Sequence, residues 1–203
     1  MREGRDLKCI TYTVSIKEDT GKIQIIGKRW EDEIHEALNS VFVDTWYADI
    51  NRNESKNGKY GNKLRTYCKF KKEWGRETYL GVINNKLKRN ILTRLRIGIS
   101  PLRIESGRYE GGKRLPPEER LCKCCTLGKV EDEVHMFSEC TLYNEDRHWF
   151  RLVLSNNLSS LAMLEGEKFF VECMKATDTP VIEAVADFVF WLFGDVKNIY
   201  VSN

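Results

Sequence analysis

Apolar and polar residues alternate near the start of the chain, in two short runs on either side of a turn. The apolar positions are Ile10, Tyr12, Val14 and Ile16, and then Ile23 and Ile25 after the turn Glu18-Asp-Thr-Gly21. A period of two around a glycine-containing turn predicts a small N-terminal β-hairpin. Because two strands alone are marginal in water, residues 1–27 are interpreted as a hairpin that packs on another element or as the remnant of a truncated larger domain.

From residue 28 the spacing of apolar residues changes to three or four, at Trp30, Ile34, Leu38, Val41 and Trp46. This is the period of an amphipathic α-helix, which we expect to end near Ile50. The run 51–62 is polar and contains two glycines, so it predicts a linker. Residues 28–55 are therefore predicted to form an amphipathic helix and linker.

Two basic segments follow, 63–74 and 85–98, and both have helical periodicity. The first places Leu64, Tyr67, Phe70 and Trp74 between lysines and arginines. We interpret these aromatic residues as core, and stacking on nucleic-acid bases is the alternative. The second segment is predicted to direct Leu87, Ile91 and Leu95 inward and Lys88, Arg89 and Arg96 outward. Gly98 and Pro101 are expected to end this helix.

The C-terminal part, residues 151–203, is also predicted to be helical. Thr179 and Pro180 are typical of a helix start, and a wide apolar face follows between Ile182 and Phe193. This face is interpreted as core, and a surface that binds a protein partner through the C-terminal helices is the alternative. The expected fold is therefore mainly α.

Four potential metal ligands lie close together in the sequence, in the pattern Cys-x2-Cys-x9-His-x4-Cys: Cys122, Cys125, His135 and Cys140. Thiolates and an imidazole at such short spacings are typical of a tetrahedral Zn²⁺ site. Four protein ligands leave no open position for water or substrate, so the predicted zinc is structural. The sequence thus predicts a helical domain organised around a Cys3His zinc loop, with the basic helices and this loop in residues 56–150.

Some assignments around this loop stay open. Cys124 is interpreted as a spare thiol, although it or His148 is an alternative ligand. Three thiolates on Zn²⁺ give the site a net negative charge. Three nearby cations either offset this charge or form a solvated basic rim: Arg120, Lys123 and Arg147.

Composition limits the class of protein. With 41% hydrophobic and 31% charged residues, the chain is expected to be a soluble globular protein. It contains no apolar run near the ~20 residues that span a bilayer, and no apolar segment that resembles a secretory signal follows the charged start. Seven cysteines, four of them within residues 122–140, fit a reducing compartment. We therefore expect an intracellular protein, nuclear or cytoplasmic, without membrane association.

The charge distribution is uneven. Residues 56–114 contain 17 Lys or Arg and four acids, a net charge of +13, within a chain whose net charge is +3, so the flanks sum to −10. A basic block of this kind is typical of binding to a phosphate backbone. A solvated basic face that pairs with the acidic flanks of the same protein would give the same composition.

Five local sequences between residues 63 and 147 carry a family resemblance. They are Lys63-Leu-Arg-Thr-Tyr67, Thr93-Arg-Leu-Arg-Ile-Gly98, Leu102-Arg-Ile-Glu-Ser-Gly-Arg-Tyr109, Glu119-Arg-Leu-Cys-x2-Cys125 and Val130-Glu-Asp-Glu-x-His-x4-Cys-x2-Tyr143. In this order they resemble the zinc-binding region that follows the reverse transcriptase of animal non-LTR (LINE-type) retrotransposons. The resemblance implies the same four zinc ligands and a role in holding RNA or target DNA. Nine residues separate the second cysteine from the histidine where a retroviral zinc knuckle has four, so the base-binding geometry of that knuckle is not implied.

Two functions follow as hypotheses. The first is a non-catalytic zinc-binding nucleic-acid module derived from a reverse transcriptase tail. Its expected phosphate contacts are Lys88, Arg89, Arg94, Arg96, Arg103 and Arg108. The second is a zinc-stabilised protein-interaction or scaffold domain. No enzyme is predicted, because local motifs do not assemble a nucleophile, a base and an orienting group, or the carboxylates of two-metal chemistry.

Overall fold

The structure, a computed structural model, describes residues 30–51, 64–112, 115–156 and 158–201. Within these ranges the chain is mainly α-helical, as predicted, and β-structure is limited to one antiparallel bridge between Leu121 and Val130. The predicted hairpin in residues 1–27 and most of the predicted linker lie outside the described residues. The chain divides into two compact units, residues 1–46 and 47–203.

The helices of the N-terminal half are α1 (Trp30–Ile50), α2 (Tyr67–Phe70), α3 (Tyr79–Val82), α4 (Lys86–Arg96) and α5 (Arg103–Ser106). Short 3₁₀ segments follow at Gly107–Gly112, Pro117–Glu119 and Thr141–Tyr143, the first of them interrupted by non-helical backbone at Tyr109, Glu110 and Gly111. A single π-helical turn occupies His135–Glu139. The C-terminal helices are α6 (Asn144–Ser155), α7 (Ser159–Ala162), α8 (Gly166–Lys175) and α9 (Thr179–Val201). Among the described residues, no helix combines the length and the apolarity needed to cross a membrane.

Helix α1 ends at Ile50, as its periodicity predicts. Its apolar stripe is exposed, however, and the side chains of Ile34, Leu38 and Phe42 are 42–61% accessible. An amphipathic pattern predicts where a helix forms, but burial of its apolar face requires a partner surface.

The core of the second unit is an aromatic cluster centred on Phe137, which is fully buried. Its ring centroid lies 5.1–5.7 Å from those of the buried rings of Phe150, Phe169, Phe170 and Phe188. These rings come from α6, α8 and α9. The C-terminal helices thus form core, as predicted, and they pack around a residue of the predicted zinc loop.

Helix α4 lies where it was predicted, but its inward face is different. Asn85 caps the helix, because its side chain accepts hydrogen bonds from the backbone N–H groups of Leu87 and Lys88. Leu92 and Leu95 are buried, whereas Leu87 is exposed. The predicted inward position of Leu87 is therefore wrong.

The predicted helix over residues 63–74 is also wrong in extent, because α2 includes only Tyr67–Phe70. The chain leaves the helix at Lys71, whose backbone is extended with φ −93° and ψ 102°. Phe70 is nevertheless buried in the core, while Trp74, beyond the helix, is exposed. The interpretation of Phe70 as core is confirmed.

Truncation of the central aromatic residue tests this packing. We expect Phe137→Ala to lower the free energy of unfolding by about 3–5 kcal/mol, because it removes a fully buried ring and leaves a cavity among four others. Urea denaturation measures this change. Trp149→Ala is the matched control, since that ring is 68% exposed and its removal should change stability by about 0.5 kcal/mol or less. Equal effects of the two substitutions would contradict the placement of Phe137.

Candidate metal centre

The four predicted ligand residues come together in one cluster. The sulfur atoms of Cys122, Cys125 and Cys140 and a ring nitrogen of His135 all lie within 4.8 Å of one another. Cys122 and Cys125 lie on the loop after the Leu121 bridge, and His135 and Cys140 lie at the two ends of the π-helical turn.

The distances between these atoms suit a tetrahedral ion. Cys122 Sγ and Cys140 Sγ are 3.9 Å apart, and Cys125 Sγ is 3.4 Å from His135 Nε2. The edges of a tetrahedral zinc site are about 3.8 Å between two sulfurs and about 3.5 Å between sulfur and nitrogen, given Zn–S bonds of about 2.3 Å. Three soft sulfurs and one imidazole form a donor set that favours Zn²⁺ over oxygen-preferring cations.

Backbone hydrogen bonds shape the first half of the site. The N–H of Cys122 donates to the carbonyl of Lys129 at 2.8 Å, which closes the loop that begins with the first ligand. Gly128, at φ +64°, adopts the left-handed conformation that this return requires. The N–H of Cys124 points at Cys122 Sγ at 3.4 Å, so the loop supplies a donor that would stabilise a thiolate there.

The π-helical turn shapes the second half. Positions five residues apart differ by about 140° around an α-helix, so a regular helix would separate His135 from Cys140. Here the N–H of Cys140 donates to the carbonyl of His135 at 2.7 Å, and this wider turn returns both side chains to the same side. Asp132 caps the start of the turn by accepting the N–H of His135 at 2.8 Å.

Of the three nearby cations, Arg147 contacts this turn directly. Its Nε donates to the carbonyl of Phe137 at 3.0 Å and its Nη2 donates to the carbonyl of Cys140 at 3.0 Å. Arg120 is buried and donates to the carbonyls of Leu115 and Ile104. Lys123 pairs with Glu110. The three cations therefore do not form a solvated rim.

The three thiols of the cluster have shifted pKa values; that of Cys125 is lowered, because slight burial is outweighed by hydrogen bonds from the backbone of Leu127 and from neighbouring groups. Burial raises the pKa of the Cys122 thiol to about 12, and burial likewise raises the pKa of the Cys140 thiol. Thiols of this kind stay neutral near pH 7 in the absence of a cation. A bound divalent ion stabilises thiolates and releases their protons, so the binding free energy contributes to folding.

The alternative ligands are not part of this cluster. His148 is exposed on α6. Cys124 lies in a second, overlapping group with Cys122 and Glu131, and burial raises the pKa of its thiol to about 12. Glu131 in turn is buried and accepts the backbone N–H of Arg103 at 3.2 Å. Cys124 is thus best described as the spare thiol of the loop.

One residue of the site was missed by the sequence analysis. Glu139 Oε2 lies 3.5 Å from His135 Nδ1, which is buried and makes no hydrogen bond of ordinary length. Lys129 Nζ holds the same carboxylate oxygen at 2.9 Å. A carboxylate beside the distal nitrogen of a ligating histidine fixes its tautomer and orientation. The sequence signal is a glutamate four residues after the histidine, on the same turn.

The six cations predicted to contact phosphate occupy different environments. Two of them are buried and are corrections to the prediction. Arg96 donates to the carbonyl of Met174 at 2.6 Å and to Glu77 at 2.8 Å. Arg103 donates to the carbonyl of Leu121 at 2.7 Å and also pairs with Glu110. Both guanidinium groups hold the fold together, because they satisfy acceptors that come from distant parts of the sequence.

The other four differ in exposure. Lys88 pairs with Asp187, and Arg108 pairs with Glu105 at 2.8 Å. Arg89 is half-buried and donates to the carbonyl of Ile83 at 2.9 Å. Arg94 is exposed on the solvent side of α4.

Comparisons with known proteins assign no family or function to the chain. No family model matches it, and neither a curated protein nor a solved structure matches it. The resemblance to retrotransposon sequences therefore stays a hypothesis based on the motifs alone.

Removal of the metal tests the centre. We expect a chelator to lower the melting temperature of the wild type, because an ion present at a thousand times its Kd stabilises the native state by about 4 kcal/mol. Cys140→Ser should abolish this chelator response, since it removes a buried ligand. Cys68→Ser, which alters a half-buried thiol outside the cluster, should retain it. A melting temperature that is identical with and without the chelator would contradict a structural metal.

The role of Glu139 has a separate test. We expect Glu139→Ala to weaken zinc binding about 10- to 100-fold, because the His135 ring loses the group that orients it. Glu139→Gln should give partial rescue, since an amide oxygen still accepts a hydrogen bond. Competition with a chromophoric chelator measures the affinities, and Glu167→Ala removes another carboxylate near the site as a control. Unchanged affinity in both Glu139 variants would overturn this role.

Proposed function

We propose that this chain is a non-catalytic nucleic-acid-binding module whose fold depends on a structural zinc ion. The converging ligand set supports the structural role, because three thiols and one imidazole complete a tetrahedral sphere and leave no position for a substrate. The sequence motifs support an origin in the tail of a retrotransposon reverse transcriptase.

The cations that stay exposed in the basic half support nucleic-acid binding. Four of them lack a carboxylate partner in the part of the chain that the structure describes: Lys72, Arg76, Lys86 and Arg94. Two lie between α2 and α3, and two lie on α4. This surplus of solvent-exposed positive charge is the observation on which the proposal rests, because phosphate contacts need cations that the fold leaves available.

Salt-dependent binding tests the proposal. We expect the zinc-loaded protein to bind labelled RNA or DNA with an affinity that falls steeply as salt rises. Arg76→Gln and Arg94→Gln should each reduce the slope of log affinity against log salt by about 1, because each removes one phosphate contact. Fluorescence anisotropy at several salt concentrations measures the slope.

Lys168→Gln is the matched control, since it removes an exposed charge from α8, outside both segments. It should leave the slope unchanged. An absence of binding, or binding that is insensitive to salt, would eliminate the nucleic-acid function.

The second candidate is a zinc-stabilised protein-interaction domain, and one surface feature favours it. A groove of about 290 Å³ between α6 and α9 is flanked by Trp149 and Trp191. Both indole rings are about two-thirds exposed. Exposed tryptophans beside an apolar groove are typical of protein interfaces. This candidate gains support if the protein folds with zinc but binds no nucleic acid.

A further inference from the structure

A cleft of about 340 Å³ opens beside α4 and has both cationic and apolar walls. We name it the Arg96 cleft. Its cations are Arg96, Lys71, Lys72 and Lys175, its carboxylates are Glu73 and Glu77, and its apolar wall includes Tyr79 and Leu92. The volume lies in the range of small-ligand sites, which combine apolar walls with a few convergent polar groups.

Two of these cations are withdrawn from solvent. The side chain of Arg96 is 6% exposed and that of Lys71 is 14% exposed. Arg96 also packs on two rings, with its guanidinium carbon 4.5 Å from the centroid of Phe70 and 4.8 Å from that of Tyr79. The two charges therefore sit in a largely apolar setting, where an unbalanced charge is costly.

A single carboxylate faces both cations among the described residues. Glu77 contacts Arg96 Nη2 at 2.8 Å through Oε2, while its Oε1 is 3.9 Å from Lys71 Nζ. Oε1 also accepts the hydroxyl of Tyr67 at 2.9 Å, so this carboxylate is shared three ways. The buried Arg96 and the half-buried Lys71 together carry two positive charges against the one carboxylate that contacts them, which leaves a local excess of +1.

Donor capacity also remains. Arg96 Nε is buried and makes no hydrogen bond within the described structure. Lys71 Nζ donates to the carbonyl of Gly75 at 3.0 Å, and an ammonium group has three protons to donate. Lys72 lies on the cleft wall and adds positive charge, whereas Lys175 on the same wall pairs with Glu172 at 2.7 Å. An anion in the cleft would interact with both the excess positive charge and the free hydrogen-bond donors. A neutral ligand would leave the positive charge unbalanced.

We propose that the Arg96 cleft binds a terminal phosphate monoester of single-stranded nucleic acid. A phosphate suits this cleft because the ammonium groups of Lys71 and Lys72 can donate charge-assisted hydrogen bonds to its oxygens, while the buried guanidinium of Arg96 adds positive charge behind them without contacting the ligand. The apolar wall at Tyr79 and Leu92 accommodates the adjoining nucleotide. A volume of about 340 Å³ is in the range of one nucleotide, so the proposed ligand is the end of a single strand. The proposal rests on the nucleic-acid function proposed above.

The test compares an oligothymidylate with and without a terminal phosphate, on the zinc-loaded full chain. The wild type should bind the phosphorylated strand about tenfold more tightly. Lys71→Gln should lose this preference, so that both strands bind with the affinity of the unphosphorylated one. The effects of the Lys71→Gln substitution and of removing the terminal phosphate would then be non-additive, which places the bound phosphate close to Lys71. Lys168→Gln, on the surface of α8, should retain the tenfold preference.

Inorganic phosphate provides an independent measurement. It should raise the melting temperature of the wild type and of Lys168→Gln, but not that of Lys71→Gln. One outcome is that neither strand binds while phosphate still stabilises the wild type. The nucleic-acid function would then be wrong, and the cleft would be an anion site for a different phosphate ester. This result overturns the ligand proposed here. Equal binding of the two strands to the wild type, without stabilisation by phosphate, overturns the cleft proposal and leaves the nucleic-acid function intact.

Discussion

The π-helical turn at His135–Glu139 is the constraint on which the rest of the second unit depends. It directs His135 and Cys140 toward the same point and places Phe137 in the centre of four buried rings. Arg147, on the neighbouring helix α6, donates hydrogen bonds to the backbone carbonyls of Phe137 and Cys140 and so holds the turn in place. Metal binding and core packing are thereby coupled, because a change in this turn displaces ligands and the central ring together. A wider turn is less favourable than a regular α-helix, so the packing of Phe137 must favour it, and metal binding by the cluster would favour it further.

Features that depend on local sequence were predictable. The ligand set was found because its spacing is short, and the starts of α1, α4 and α9 were found because caps and periodicity are local signals. The π-helical turn was not predicted, since nothing in a five-residue run distinguishes it from an α-helical turn until Phe137 is packed. Glu139 was missed for the same reason: its role depends on where the turn directs the His135 ring.

The basic residues were harder to place, because their environments depend on contacts between distant parts of the chain. Arg96 pairs with Glu77, 19 residues away, and with the carbonyl of Met174, 78 residues away. Arg103 similarly binds the carbonyl of Leu121. A helical pattern assigns such arginines to the outer face because they are charged, although a guanidinium with acceptors in reach is stable inside. Charge composition alone therefore overestimated the cations available to a phosphate backbone.

The metal centre and the Arg96 cleft pose opposite electrostatic problems. Three thiolates around a divalent ion would leave one excess negative charge; the N–H of Cys124 points at Cys122 Sγ, and the guanidinium of Arg147 on α6 lies beside Cys140, where it donates to the backbone carbonyl. In the cleft, Arg96 and the half-buried Lys71 share the carboxylate of Glu77, and Glu73, which also lines the cleft, is exposed and forms no ion pair with either cation in the described structure. The charge of the metal cluster is thus balanced by groups of the protein, whereas part of the charge in the Arg96 cleft is not. This difference indicates different roles for the two sites. The balanced site suits a permanent structural ion, whereas the unbalanced one suits an anion that binds and leaves.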